Sequence, residues 1–492
     1  MTSSNPYWPA LLGAGAAALA AGEAQAQVWR SHEPHVLGSS LDMAVVADHP
    51  ASAIAAARAA RAEIDRLDAL LSGWRGDSEL ARLNASTSIT ASPDLFDVVQ
   101  AAERWRIDTG GAFDARLGAV TKALRTGATD AHALNIAARA ADIGLDAGGR
   151  RITRPHGAQL DLDGIAKGHV IDAALAAARR AAPAMAGMLI DIGGDLRAWG
   201  HGPSSGAWRI GMADPDHLHD NAEPAQTLRL TDKAVAFSGP GLRDLIVDGR
   251  ARPHILAADG LPARHTSAAV VADSARDADA LATALCAMEP LQAIALVDRL
   301  DGFEAMVIDA NGRRLPSRGW SASVEAPAPP ARLYRAQAAQ NWPAGFTFAI
   351  DYEVPPITRE RALPPYIAFW ITDQGGAPIR TLALLGSDLR FIDQNFIWWR
   401  RVGRTMNSVD AVTRPTRKPG RYSIAWDGRD DKGAPVGQGR YTLHIEATRE
   451  HGGHGYQTFE MTLGGAPATS SAPAVDELGP AAVRYGPRAR GN

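Results

Sequence analysis

Asp161-Leu-Asp-Gly-Ile-Ala-Lys-Gly168 decides how the rest of this chain is read. Acidic groups, a glycine that exposes backbone, and a lysine fall within one octapeptide. Taken alone, the same string describes a strand end, a glycine turn and a solvated lysine. A phosphate site would use these parts differently: glycine lets the backbone approach the ligand, lysine supplies a point charge, and carbonyl or carboxylate oxygens face a hard cation. Downstream, Asp279 and Thr283 lie one turn apart in a helical pattern over Asp277 to Met288, so both oxygens project from one face. A few oxygen ligands suit Mg2+, which keeps waters and shares phosphate oxygens with its substrate. An Asp and a Thr on a wet helix face give the same pattern.

The chain as a whole narrows the classes. At 492 residues it is too long for one ordinary core, and two or three domains are expected. Hydrophobic residues at 46% and charged residues at 21% describe a soluble globular protein. The net charge of −3 gives no general attraction to nucleic acid or anionic lipid, so an anionic ligand needs a local site. Cys286 is alone, which excludes an intrachain disulfide and a cysteine metal site. Neither Gly-x4-Gly-Lys-Ser/Thr nor a Gly-x-Gly-x-x-Gly after a strand is present, which argues against conventional ATP and NAD sites. Ala10 to Ala21 is a short apolar run ahead of Ala24-Gln25-Ala26, so residues 1–26 read as a signal peptide with Gln27 as the mature start, although the first basic residue is Arg30. No segment is long and apolar enough to span a bilayer permanently.

Helical spacing over Ala51 to Leu71 and Pro93 to Thr109 alternates with short apolar runs, Met188 to Ile192 and Ala268 to Ala272, that read as buried strands. There is no regular βαβ period, so residues 27–325 are expected to form an α+β domain. Ala326-Pro-Ala-Pro-Pro330 marks a linker over 326–332. Beyond it the period becomes two: Phe346/Phe348/Ile350/Tyr352/Val354, Tyr422/Ile424/Trp426, Tyr441/Leu443/Ile445 and Phe459/Met461/Leu463 predict an all-β sandwich over 333–464. Residues 465–492 are rich in Ala, Pro, Ser and Gly and are expected to be a disordered tail.

Further pieces are weak singly. Ser72/Trp74 with Asp77-Ser78-Glu79 and Asn84 reads as a turn and helix cap, and Ala112-Phe113-Asp114 follows a glycine turn. Asp191-Ile-Gly-Gly-Asp195 ends a strand, and His254-Ile255 precedes Gly260. Together with Asp161 to Gly168 and Ala278-Asp279 to Thr283, in this order, they resemble the FAD:protein FMN transferase (ApbE) family, from about Leu37-Gly38 to the Cys286 region. The resemblance implies that FAD is substrate and FMN donor. It implies Mg2+ on the Gly164 carbonyl, Asp279 and Thr283. It also implies FAD contacts from Trp74, Ala112, Phe113, Asp114, Asp161, Lys167 and Ile255, with His254 and Lys167 as catalytic candidates. A Thr or Ser hydroxyl of a separate acceptor protein would attack the FMN-side phosphorus and release AMP. Three positions depart from the family pattern: Asp163 replaces a second glycine, Phe237-Ser238-Gly239 stands for Thr-Ser-Gly, and Ala257-Ala258 stands for Asp-Pro.

In the C-terminal region, Gly420 to Tyr441 resembles a Trp-Asp-Gly β-hairpin of bacterial immunoglobulin-like domains, centred on Trp426-Asp427-Gly428. The wider span resembles a periplasmic domain of unknown function that accompanies flavin transferases. Trp398-Trp399-Arg400 is expected in a core rather than on a docking patch. The implied location is periplasmic or exported, at the inner membrane if the acceptor is membrane-bound. Two other readings stay open: a metal-dependent FAD pyrophosphatase giving FMN and AMP, and a non-catalytic flavin-binding scaffold.

Overall fold

The computed structural model describes residues 27–487 apart from 127–130, 141, 204–205, 213–223, 240–244, 248–249, 253–254, 258–262, 264–266, 326–341, 344, 357–364, 387–393, 404–412, 415–416, 418 and 450–452. The expected signal peptide, the linker, and His254 with Gly260 lie outside the described residues. The chain divides into two compact units, one of residues up to Ile210 with Thr227–Glu325, the other of Gly211–Gln226 with Ala326–Asn492.

The first unit is built on an 8-stranded sheet whose neighbours follow chain order: Gln27–Val36, Ser39–Ala47, Gly187–Ile192, Asp195–Gly200, Ala234–Ser238, Ser267–Ala272, Glu304–Ile308 and Arg314–Pro316. Every one of these pairings is antiparallel. Alternate residues such as Met43, Val45, Met188, Ile190, Ala236 and Val270 face one core, as period two requires. Helices cover that face. Pro50–Leu71 starts with proline in its first turn and buries Ala53, Ala56, Ala57, Ala60, Ile64, Leu67 and Leu71, a stripe small enough to lie close along helix Ala166–Ala181. That helix also packs on Ala275–Ala287, which follows the Ser267–Ala272 strand. The α+β expectation holds, with helices Pro50–Leu71 through Ala166–Ala181 inserted between Ser39–Ala47 and Gly187–Ile192.

The second unit is a sandwich of a 4-stranded and a 5-stranded sheet. Phe348, Ile350, Ile424, Trp426, Val483 and Tyr485 of the first meet Ile367, Phe369, Leu443, Ile445, Phe459 and Leu463 of the second. Two expectations are corrected here. Within the expected tail of residues 465–492, the described residues 465–487 are not disordered: Ala468–Ala472 and Ala481–Pro487 pair with each other, and the latter lies against Phe346–Val354. Small residues fit between paired strands, and Val483 and Tyr485 supply the buried side chains that composition averaged away. Nor do Gly420–Trp426 and Gly439–Thr448 form a hairpin, since they belong to different sheets. The Asp427-Gly428 turn is a corner between sheets, with Trp426 Nε1 donating to the Arg429 carbonyl at 2.8 Å and Gly428 at φ +73°. Trp398 is fully buried as expected: its backbone N–H donates to Glu446 at 2.8 Å and its indole N–H to Thr381 at 3.1 Å.

Candidate active site

The Asp161 to Gly168 segment is held before it can hold anything else. The Asn84 side chain brackets Leu160, donating to its carbonyl and accepting from its N–H, both at 2.8 Å. The Asp161 N–H donates to the Ala115 carbonyl at 2.8 Å, and Gly118 N–H to Gln159 at 2.9 Å, which lays residues 112–118 beside the segment. Ser78 caps helix Glu79–Ala85, and the buried Glu79 accepts from the Ser92 N–H at 2.7 Å, so this acidic-looking stretch is local architecture.

Helix Ala166–Ala181 begins at the segment's end and meets helix Ala275–Ala287 at Gly168. A side chain at Gly168 would overlap the Ala275 carbonyl and come within 2.6 Å of Arg276 Cα, so only glycine permits this approach. The Gly168 N–H donates to Asp279 Oδ2 at 3.1 Å. Gly164 lies against Thr283: a Cβ built on it would sit 3.0 Å from Oγ1 and 3.3 Å from a Phe113 ring carbon. Gly164, Asp279, Thr283 and Phe113 thus converge at the first turn of one helix. The donors available are a carbonyl, a carboxylate and a hydroxyl, a hard set that fits Mg2+ and its phosphate oxygens. Among the described residues no cluster of three His, Cys, Asp or Glu side chains could hold a metal.

The remaining expected residues distribute unevenly. Lys167 pairs with the buried Asp195. Burial, reinforced by the Asp163 charge, pushes Asp161 up to about 6 despite the Asp163 N–H and Arg125. Trp74 is exposed, with the Arg125 guanidinium 4.6 Å from its ring, and Gly73 beside it faces the Asp163 carboxylate. The Asp114 carboxylate is buried and gripped by Arg116 at 2.8 and 2.9 Å and Arg139 at 3.1 Å, so its own oxygens are engaged within the fold. Ala112 is half-buried, its N–H donating to Thr109, and Ile255 belongs to the main core.

Sequence reading missed Asp172. One turn beyond Gly168 on the same helix face, it accepts from the N–H groups of Ala275 and Arg276 at 3.0 Å, from Ser274 at 2.9 Å and from Arg197 at 3.0 Å. It caps the neighbouring helix and so sets where Asp279 and Thr283 stand. The spacing from Gly168 was the available signal. Asp172→Ala is expected to lower stability by about 2 kcal/mol in urea unfolding, because it strips a cap and leaves Arg197 short of a partner.

A second carboxyl with a raised pKa lies at the Gly193-Gly194 turn, where partial burial pushes Asp191 up to about 6 near Asp42 and Asp195, against one N–H from Gly194 at 2.8 Å and the Lys167 charge. The ordinary value is 3.8. Below it both folded and unfolded chains hold the proton and pH has no effect. Between the two values the unfolded chain ionises first, so stability falls as pH rises, and above about 6 the whole penalty is present. Asp191→Asn is therefore expected to stabilise the protein by ~1–3 kcal/mol at pH 7.5, with the gain gone by about pH 4, as read from urea curves at the two pH values.

Comparisons with known proteins bear on the family and the fold. The family model described as "ApbE family" matches residues 37–307, and one described as "Predicted periplasmic protein (DUF2271)" matches residues 347–479. A Treponema pallidum protein named FAD:protein FMN transferase is 31% identical over 315 residues, covering 58% of this chain and 85% of that one. The crystal structure of the ApbE protein from Thermotoga maritima aligns with TM-score 0.55 at 23% identity, over 61% of this chain and 100% of that chain. The apo flavinyl transferase ApbE of Pseudomonas stutzeri aligns with TM-score 0.53 at 25% identity, over 62% of this chain and 99% of that chain. The eight-stranded antiparallel sheet and the helices on it share the fold of these solved ApbE proteins. The chain belongs to the ApbE family.

Proposed function

We propose that this protein transfers FMN from FAD to a Thr or Ser hydroxyl of a separate acceptor protein, releasing AMP. The convergence of Gly164, Asp279 and Thr283 at the start of helix Ala166–Ala181, in a member of the ApbE family, carries the reading. These three would hold Mg2+, which when bound neutralises pyrophosphate charge and makes AMP a better leaving group. Lys167 at the helix's first turn faces the phosphate charge, and the N-terminal dipole of the same helix adds to it. The exposed Trp74 offers aromatic surface to the flavin or adenine, and the buried Phe113 ring backs Gly164 from the core. The acceptor hydroxyl oxygen bonds to the FMN-side phosphorus, its proton passes to a base for which His254 is the candidate, and the bond to the AMP phosphate breaks with AMP keeping the bridging oxygen. The DUF2271 match supports a periplasmic setting; the acceptor would then be a periplasmic or inner-membrane protein. Among the described residues no helix is long and apolar enough to cross a membrane.

Incubation with FAD, Mg2+ and candidate acceptors, followed by a denaturing gel, tests the proposal through a fluorescent protein band matched by AMP. No band across several acceptors would sink the transferase reading. FMN and AMP without labelled protein would mark a pyrophosphatase, and FAD binding without turnover a scaffold.

A further inference from the structure

Asp195 belongs to a motif that the transfer reading leaves without a role. Ile192 and Asp195 pair across the Gly193-Gly194 turn, where both glycines have positive φ, +63° and +98°. That is the geometry of a tight two-residue hairpin, and it aims Asp195 to the same face as Ile192, which lies in the helix-covered core. Asp195 is 1% exposed. Its Oδ2 is paired with the Lys167 ammonium, and its Oδ1 accepts from the Phe237 N–H at 2.9 Å. One carboxylate therefore ties the Asp161 to Gly168 segment to the strand end leading into Ser238-Gly239.

We infer that Asp195 is a positioning residue of the flavin site, fixing the Lys167 ammonium at the helix start and the backbone at Phe237. A lysine is a point charge on a flexible stem, and its value to a developing phosphate charge depends on being in place beforehand. A buried carboxylate paired with the ammonium restricts the stem and takes up only part of its three N–H donors. The role of the ligand rests on the FAD reading; the Asp195 restraint on Lys167 does not.

Asp195→Asn keeps an acceptor for Phe237 and removes the negative charge paired with Lys167. In the full-length chain, kcat for flavin transfer is expected to fall at least tenfold with KM for FAD changed less than threefold. The Asp195→Asn/Lys167→Met double variant is expected to be no slower than Lys167→Met alone, because Asp195 acts through the lysine. Losses that multiply, or an unchanged kcat in Asp195→Asn, would overturn the inference. If Asp195→Asn does not fold, Asp195→Glu carries the same cycle with a displaced carboxylate. A flavin-independent arm separates this inference from the transferase reading: acylation of Lys167 by an amine-directed reagent, mapped by mass spectrometry, should be at least tenfold faster in Asp195→Asn. Equal acylation rates would overturn the inference even in an active enzyme, and a faster rate would support it even if no flavin is transferred.

Discussion

Asp279→Asn is expected to lower Mg2+-dependent flavin transfer on the order of 10³-fold, a loss of about 4 kcal/mol of transition-state stabilisation. The substitution is chosen for what it leaves intact. Asp279 Oδ2 accepts the Gly168 N–H at 3.1 Å, and an amide oxygen can do the same, so the contact between the two helices survives. What disappears is the only carboxylate of the proposed cation set. Thermal unfolding should therefore shift by only a few degrees while turnover collapses at every Mg2+ concentration. Asp279→Ala serves as the contrast, because it also orphans the Gly168 N–H at an additional cost of about 1–3 kcal/mol in stability. A loss of less than tenfold in Asp279→Asn, measured by the fluorescent-band assay across a Mg2+ titration, would remove Asp279 from the cation site. Unchanged FAD affinity together with lost turnover would separate chemistry from binding.

Gly168→Ala is expected to cost about 3 kcal/mol in urea unfolding and to depress transfer at least a hundredfold. Helix propensity points the other way, since alanine is favoured over glycine by about 1 kcal/mol inside a helix. The sign is decided by what the methyl meets. Its neighbours are the backbone of Ala275 and Arg276, which cannot rotate aside as a side-chain end can, so one helix must move away from the other. That motion carries Asp279 and Thr283 away from Gly164. Gly164→Ala is the milder companion: the nearest atoms are the Thr283 side chain at 3.0 Å and the Phe113 ring at 3.3 Å. A Gly168→Ala protein more stable than the parent would show that the helices can re-pack, and the account of the helix crossing would fall.

The site was partly legible because its chemistry is compressed into short strings. A glycine, a lysine and carboxylates within one octapeptide, and an Asp and Thr one turn apart, are patterns that local geometry turns into shared faces. Asp114 shows where a local pattern stops being informative. Its place in a motif says nothing about Arg116 and Arg139 closing on its oxygens, because Arg139 arrives from another helix. The hold of Asn84 on Leu160 and the whole role of Asp172 escaped for the same reason: each acts on backbone groups far away in the chain.

The C-terminal sandwich repeats the lesson in a different form. Period-two alternation in Phe346–Val354 and His454–Leu463 identified strands directly, since a half-buried strand must alternate. Which strands pair is not a local property. Gly420–Trp426 and Gly439–Thr448 look like the arms of a hairpin and enter different sheets, while the low-complexity Ala468–Ala472 becomes an edge strand because Ala481–Pro487 offers it a ladder.

The sequence by itself determined the two-part organisation, the α+β and all-β classes and the family, because periodicity, composition shifts and ordered short motifs are local or additive signals. Only the tertiary structure decided that Gly164 meets Thr283, that Asp279 receives the Gly168 N–H and that Asp195 restrains Lys167. Those contacts join residues far apart in the chain. They depend on how closely two helices approach and on which face a two-residue turn presents, and close packing sets both.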